Sequence, residues 1–251
     1  MQFSEILLEK MSSARRVVVM TGAGVSAESG IATFRDPDGL WTRFNPMELA
    51  SIDGFMSNSK LVWEWYQYRR RIVRDSQPNP GHYAIAEMEK MFEKFTLTTQ
   101  NVDRLHQRAG SQNVYELHGN IIENRCFQCS MPFTEEISPD ADELPNCNTC
   151  GGKIRPCVVW FGEMLPADVL DYSERESSRC DLFFSVGTSS EVYPAAALPY
   201  TAKSRGAYVV EVNLNVTSFS HHAHEHLQGP SGIILPELIA EFKKFKNIRN
   251  G

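Results

Sequence analysis

The chain has 251 residues, 25 Lys plus Arg against 31 Asp plus Glu, and a net charge of −6. At about 150 residues per domain this is one or two domains, which excludes a peptide or toxin-like scaffold that needs staples to fold. With 42% hydrophobic and 22% charged residues the composition excludes a fibre or a disordered chain, and the acidic balance makes a nucleic-acid backbone a poor partner.

In chain order, residues 3–12 place Phe3, Ile6, Leu7 and Met11 on one helical face, and the β-branched run at 17–20 follows as a buried strand. Residues 21–30 form a glycine-rich turn, and Pro37 and Gly39 oppose a regular helix immediately after it, so a long functional loop is expected. Aromatic and aliphatic residues recur at helical spacing over 61–74, and Pro80-Gly81-His82 introduces a second helix. Strand-like runs at 95–99, 182–187 and 207–212, with helical stretches between them, predict an α/β fold. The expected core is a Rossmann-like, doubly wound parallel sheet with helices on both faces. Residues 126–150 interrupt this rhythm with paired cysteines and a polar, proline-bearing stretch, which reads as a small inserted module. No apolar run approaches the roughly 20 residues that span a bilayer. Glu5 and Glu9 stand where a signal peptide would be basic, and the first helix leaves no room for a targeting extension, so a cytoplasmic location is expected.

Two motifs carry chemistry by themselves. Gly22, Ala23 and Gly24 follow a β-branched strand and would give the tight turn, close backbone approach and N–H groups that a pyrophosphate needs, making a dinucleotide the natural ligand. The dehydrogenase fingerprint wants a third glycine three residues on, where Val25, Ser26 and Ala27 stand instead, so hydride transfer is disfavoured. Cys126-x-x-Cys129 and Cys147-x-x-Cys150, 17 residues apart, have the spacing of a tetrahedral zinc site, and four thiolates leave no open position, so the metal would be structural. A redox dithiol or disulfides are the alternatives. Cys157 and Cys180 read as small packing residues. The four histidines within 220–226 could mimic a metal site but read as a polar surface turn.

GAGVSAESGIATFRDPDGLW (22–41), TQNVDRLHQRAG (99–110), ELHGN (116–120), the four cysteines, VVWFGEMLP (158–166), GTSSEVYPAA (187–196) and EVNLN (211–215) together resemble the sirtuins over nearly the whole chain. The resemblance implies an NAD-dependent protein lysine deacylase that consumes NAD: the acyl-lysine oxygen attacks the ribose carbon as nicotinamide leaves, giving free lysine and O-acyl-ADP-ribose. It implies a core of roughly 1–33, 81–120 and 158–251, a helical cofactor-loop insert of roughly 34–80, and a zinc-binding module of roughly 121–157, with one structural zinc.

His118 matches the catalytic histidine that deprotonates a ribose hydroxyl, a task that suits an imidazole of ordinary pKa ~6.5. Asn101 and Asp103 match positions lining the nicotinamide pocket. Gln100, Ala23, Glu28, Ile31, Thr33, Phe34, Arg35 and Trp41 fall on NAD-contacting segments, with Phe34 shielding the sugar from water and Arg35 neutralising phosphate or ordering the loop. Gly187, Thr188 and Ser189 match phosphate- and ribose-contacting positions, Asn213, Leu214 and Asn215 the adenosine half, and Ser231 the last adenine-side contact. Val159, Trp160, Phe161 and Gly162 match the segment that takes up an acyl-lysine protein as an added strand.

Tyr66 and Arg69, three apart on one helical face, resemble the Tyr-x-x-Arg of class III sirtuins, which holds the free carboxylate of succinyl-, malonyl- or glutaryl-lysine; Ala50 matches the small residue that leaves room for the longer acyl group. Desuccinylation or demalonylation with deacetylation retained is therefore expected, in a monomer with no membrane partner. Arg70 and Arg71 are expected to face solvent. A mono-ADP-ribosyltransferase using the same NAD cleavage and a zinc-ribbon binding module without turnover are the competing readings; the second leaves His118, Asn101 and Asp103 without a purpose.

Overall fold

The computed structural model describes residues 3–34, 39–138, 140–141 and 143–250. Its strands are β1 (Arg16–Thr21), β2 (Lys94–Thr99), β3 (Val114–Glu116), β4 (Gly119–Cys126), β5 (Pro132–Phe133), β6 (Ile154–Val158), β7 (Leu182–Val186), β8 (Tyr208–Asn213) and β9 (Glu225–Gln228). Six of them form one sheet in the order β3-β2-β1-β7-β8-β9, with every pairing parallel. The chain leaves β1 toward β2 and β3, then returns past β1 to build β7, β8 and β9 on its other side. The carboxyl ends of β1 and β7 are thus the switch point, the place where an open parallel sheet leaves a crevice for ligands.

Period-two alternation sends the strand residues to two cores. Val17, Val19, Leu97, Phe184 and Val210 face the helices Glu5–Ser13, Pro80–Glu89 and Ser231–Asn250. Val18, Met20, Phe183 and Val209 face the other side, against Leu198 and Ala202 of the helix Leu198–Ser204. Each such side chain contributes about 1.5–3 kcal/mol by leaving water. The first helix differs from expectation in one residue: Ile6 is 57% exposed and Leu8 is buried instead. The line of residues 3, 7 and 11 has two flanks, and the sheet lies on the flank of Leu8.

The polar stretch around the cysteines folds on an antiparallel sheet of order β5-β4-β6. The long helix Ser59–Asp75 packs on β4 of this sheet and on the short helices Pro46–Leu49 and Ile52–Ser57. Its Val62, Trp65, Tyr66 and Val73 bury against Phe55, Ile121, Val158 and Trp160, while Trp63 covers Cys126, Cys147 and Ile154. Arg70, expected to face solvent, is 3% exposed. It donates from Nε to the Ile121 carbonyl (2.7 Å), from Nη1 to Gln67 Oε1 (2.7 Å) and from Nη2 to Asn124 Oδ1, with its guanidinium over the Trp63 ring. The reason is helical geometry: 63, 66, 70 and 73 share one face, so the arginine follows the buried aromatics inward and ties the helix to β4. Arg71 is half-buried. The histidines of 220–226 also divide. His224 accepts from the Val209 amide through Nδ1 (2.9 Å) and stacks on Tyr208, His222 lies edge-on to Tyr200, and His226 sits within β9, 3.8 Å from the Glu211 carboxylate. Among the described residues no helix is long and apolar enough to cross a membrane.

Candidate active site

At the switch point a cleft of about 920 Å³ opens over the ends of β1, β2, β7 and β8. The glycines shape it by contact between loops. A Cβ on Gly22 would meet the Gly187 carbonyl oxygen and Thr188 Cβ at 2.8 Å, one on Gly24 would meet the same oxygen at 2.8 Å, and Gly187 itself has φ +59°. The two loops close on each other through Gly22 N–H to the Val186 carbonyl (3.0 Å) and Gly24 N–H to the Gly187 carbonyl (2.8 Å), and the Val25 amide turns back to Gly22 (3.1 Å). These amides are therefore spent within the protein. The sequence-based expectation that the amides of Gly22, Ala23 and Gly24 would point at an anion does not hold for Gly22 and Gly24, because the loops must first satisfy each other.

His118 follows β3 and is half-buried, lining the cleft. Its Nδ1 lies 3.1 Å from the Gln100 carbonyl, an acceptor only, so Nδ1 carries the proton and the lone pair is on Nε2. Gln100 also donates from Nε2 to Thr188 Oγ1 (2.9 Å), and Asn213 Nδ2 donates to the Thr188 carbonyl (2.9 Å), which ties the ends of β2, β7 and β8 together. Asn101 donates from Nδ2 to the Gly22 carbonyl (3.0 Å) and Ser26 Oγ (3.1 Å), leaving its Oδ1 as acceptor. Ser26 in turn donates to Asp103 Oδ2 (2.7 Å). Burial pushes the Asp103 carboxyl above the usual range, against the pull of the Leu105 amide, Ser26 and the charge of Arg69.

Beneath Ser26 lie two buried histidines that sequence motifs did not single out as functional. His82 accepts the Asn79 amide on Nδ1 (3.3 Å) and approaches Ser26 Oγ with Nε2 (3.4 Å); burial lowers its pKa to about 4. Thr21 donates its hydroxyl to Thr99 Oγ1 (2.8 Å), so the His106 Nε2 at 2.9 Å from Thr21 Oγ1 must be the donor. Burial, and then the neighbouring His82, hold His106 well below its ordinary pKa. The only sequence signal for this layer is the repeated threonines that end β1 and β2, which close a polar network under the cleft floor.

Ala23, Glu28, Thr33, Phe34, Ser189, Leu214, Asn215 and Ser231 also line the cleft. Glu28 and Ser231 meet: Glu28 Oε1 accepts from Ser231 Oγ (3.2 Å) and from the Gly232 amide (2.9 Å). Two expected cofactor residues stand apart from the cleft lining. Ile31 packs on the core of the helical insert, and Asp103 lies behind Ser26 and faces a second cavity. Arg35 and the Trp41 side chain fall outside the described residues.

The far end of the cleft is lined by Ala50, Tyr66, Arg69 and residues 158–162. Val159 donates its amide to the His118 carbonyl (2.9 Å), Phe161 to the Ala50 carbonyl (2.8 Å) and Trp160 to Glu163 Oε2 (2.8 Å). These three N–H groups are thus already used on the protein side and are not available to an added strand. Arg69 is 7% exposed, with its guanidinium over the rings of Trp65 (4.9 Å), Phe34 (5.1 Å) and Tyr66 (5.9 Å). Among the described residues it makes no hydrogen bond or ion pair. Tyr66 is 1% exposed and accepts a hydrogen bond from Trp160 Nε1 (2.9 Å), and burial raises its pKa, so it is a neutral phenol.

Of the described residues, Cys126, Cys129, Cys147 and Cys150 form the cluster able to hold a metal, with their Sγ atoms within 4.8 Å of one another. The Cys126–Cys150 and Cys129–Cys147 Sγ separations of 3.5 and 3.7 Å are too long for disulfides and close to the about 3.8 Å edge of a tetrahedron of Zn–S bonds of ~2.3 Å. The Cys129 and Thr149 amides approach the Sγ atoms of Cys126 (3.5 Å) and Cys147 (3.4 Å), which favours thiolates there. The four thiols fit one structural zinc.

The geometry has counterparts among known proteins. An NAD-dependent protein deacylase of Archaeoglobus fulgidus is 46% identical over 240 residues, covering 96% of this chain and 98% of its own. A Sir2 homologue solved in complex with NAD superposes with a TM-score of 0.91 at 46% identity, over 97% of this chain and 95% of that one. A histidine mutant of Sir2, solved with a deacetylated p53 peptide and 3′-O-acetyl ADP-ribose, superposes with a TM-score of 0.85 at 34% identity, over 94% and 97% of the two chains. The model of the Sir2 family matches residues 22–194, from the first glycine of the cleft to the turn beyond β7, and the chain belongs to that family, the sirtuins.

Proposed function

We propose that this chain is an NAD-consuming protein lysine deacylase that removes succinyl or malonyl groups, and also acetyl groups, from lysine side chains, releasing nicotinamide and O-acyl-ADP-ribose. The deacylase reading is supported by relatives of that name and by a homologue that binds NAD. The acyl preference rests on one observation: Tyr66 and Arg69 present a phenol proton and a guanidinium to the cleft, and no acceptor among the described residues answers either. A site made of donors and one buried positive charge calls for an anionic acceptor, and a carboxylate at the end of a short acyl chain supplies it. Buried Ala50 beside them leaves room for that chain.

NAD, when bound, supplies a ribose carbon that turns electrophilic as nicotinamide leaves. His118 Nε2, with its tautomer fixed by the Gln100 carbonyl, takes the proton from a ribose hydroxyl. Asn101 offers its Oδ1 to the nicotinamide carboxamide, with its Nδ2 anchored on Gly22 and Ser26. Asp103 acts one step back, holding Ser26. Phe34, at the cleft wall against Arg69, keeps water from the reacting carbon. A zinc held by the four cysteines would leave no open position for substrate and would serve to order the antiparallel sheet.

Arg69→Met tests the acyl reading. KM for a succinyl-lysine peptide is expected to rise about tenfold or more relative to that for the matched acetyl peptide, as loss of a charge-assisted hydrogen bond implies. An equal loss on both peptides discards the preference. Nicotinamide release with both peptides left acylated favours the ADP-ribosyltransferase reading instead.

A further inference from the structure

The Tyr66 hydroxyl is held by an indole. Trp160, 2% exposed, donates its Nε1–H to the Tyr66 oxygen at 2.9 Å. An indole nitrogen only donates, so the tyrosine oxygen is obliged to accept there, and its own proton turns elsewhere. Among the described residues that proton meets no acceptor, and the cleft borders Tyr66. The indole is itself immobilised from behind. Arg155 lies over its ring at 3.3 Å and is paired through both Nη atoms with Glu163, and Glu163 Oε2 accepts the Trp160 backbone amide at 2.8 Å. Arg155 Nη2 also bonds the Val158 carbonyl (2.8 Å), which fixes this unit to the end of β6.

We propose that Trp160 is a positioning residue for acyl selectivity: its indole N–H, clamped by Arg155 and Glu163, orients the Tyr66 hydroxyl as a donor into the cleft, toward the acyl carboxylate. The inference rests on the proposed Tyr66/Arg69 carboxylate site and adds a residue that acts through Tyr66. Without the indole donor the phenol oxygen has no fixed partner, and its proton can turn away from the cleft. Accepting from Trp160 also polarises the phenol and strengthens its outgoing bond.

The test is the ratio of kcat/KM for succinyl-lysine over acetyl-lysine peptides in three variants of the full chain. Trp160→Phe keeps an aromatic face for Arg155 and removes the N–H; the ratio is expected to fall about fivefold, the worth of one hydrogen bond, through KM for the succinyl peptide. Tyr66→Phe is expected to lower it comparably, and Trp160→Phe in the Tyr66→Phe background to lower it no further, because both act on the same donor. Replacing Trp160 with benzothienylalanine, which keeps the bicyclic shape without the N–H, is expected to give the same fall, which a packing fault around phenylalanine would not produce. An unchanged ratio in the benzothienylalanine protein, whatever Trp160→Phe does, or additive losses with Tyr66→Phe, overturns the inference. Arg69→Met separates the two ideas: if it shifts the ratio and the Trp160 replacements do not, only the role of Trp160 fails, and if it does not, the carboxylate site fails with it.

Discussion

One carbonyl sets the tautomer of His118. By accepting from Nδ1 at 3.1 Å, the Gln100 backbone leaves the lone pair on Nε2, the atom that takes the ribose proton in the proposed reaction. His118→Ala is accordingly expected to lower kcat about 10²–10⁴-fold, the range of general base catalysis, with little change in NAD binding followed by calorimetry; a loss confined to KM would contradict the role. His82 gives a second test at this scale. Burial lowers its pKa to about 4 in the fold, against ~6.5 in an unfolded chain. As pH falls from 6.5 toward 4, the unfolded state takes up a proton that the folded state refuses, so the stability present above pH 6.5 is lost in that window. Between pH 7 and pH 4.5 the loss attributable to His82 is about 2 kcal/mol, and His106 shifts in the same direction. Urea unfolding of His82→Gln at the two pH values should show a shallower drop than the parent; a parallel drop contradicts a buried neutral imidazole. Residues at this scale were legible where a motif carries them: the glycines, His118 and the cysteines. Ser26, His82 and His106 were not, since a buried polar network is specified by which side chains meet across β1 and β2, and no spacing in the chain encodes that.

Among the elements, the helix Ser59–Asp75 does most to join the parts. It sends Tyr66 and Arg69 to the cleft, Trp63 to the cysteine cluster and Arg70 to β4. Arg70→Ala would leave a cavity and strip Gln67 and Asn124 of a donor in a buried setting, which should cost about 2–4 kcal/mol in chemical unfolding. A change within about 0.5 kcal/mol would return Arg70 to the surface role its charge suggested. Removing zinc with a chelator is expected to release four reactive thiols and to loosen amide exchange in β4, β5 and β6, while β1, β2 and β7 stay protected, because the cysteines lie in the antiparallel sheet's module and the parallel sheet has a core of its own. Uniform loss of protection across both sheets would contradict a locally ordering metal. Periodicity made the strands and long helices legible, and it contained the burial of Arg70 as well, since 63, 66, 70 and 73 fall in line. A charge at one of those positions hid the pattern. The bonded amides of 159–161 were out of reach, as they depend on the chain returning beside His118 and Ala50.

Over the whole molecule, the order β3-β2-β1-β7-β8-β9 places the ends of four distant strands around one cleft. The parallel sheet was visible in the alternation of strands and helices, while the identity of the switch point follows only from the order in which the strands pair. The helix Ser59–Asp75 and the segment after β6 then line one end of that cleft with Tyr66, Arg69 and Trp160, so the ends proposed for the dinucleotide and for the acyl group are built from different elements, with His118 in the same lining. The claim that unites them is an NAD-consuming removal of acyl groups that end in a carboxylate. The most direct measurement incubates the protein with NAD and matched acetyl- and succinyl-lysine peptides and follows free peptide, nicotinamide and O-acyl-ADP-ribose together by mass spectrometry. The predicted result is all three products in equal amounts, with the lower KM for the succinyl peptide; nicotinamide formed while both peptides keep their acyl groups would contradict it.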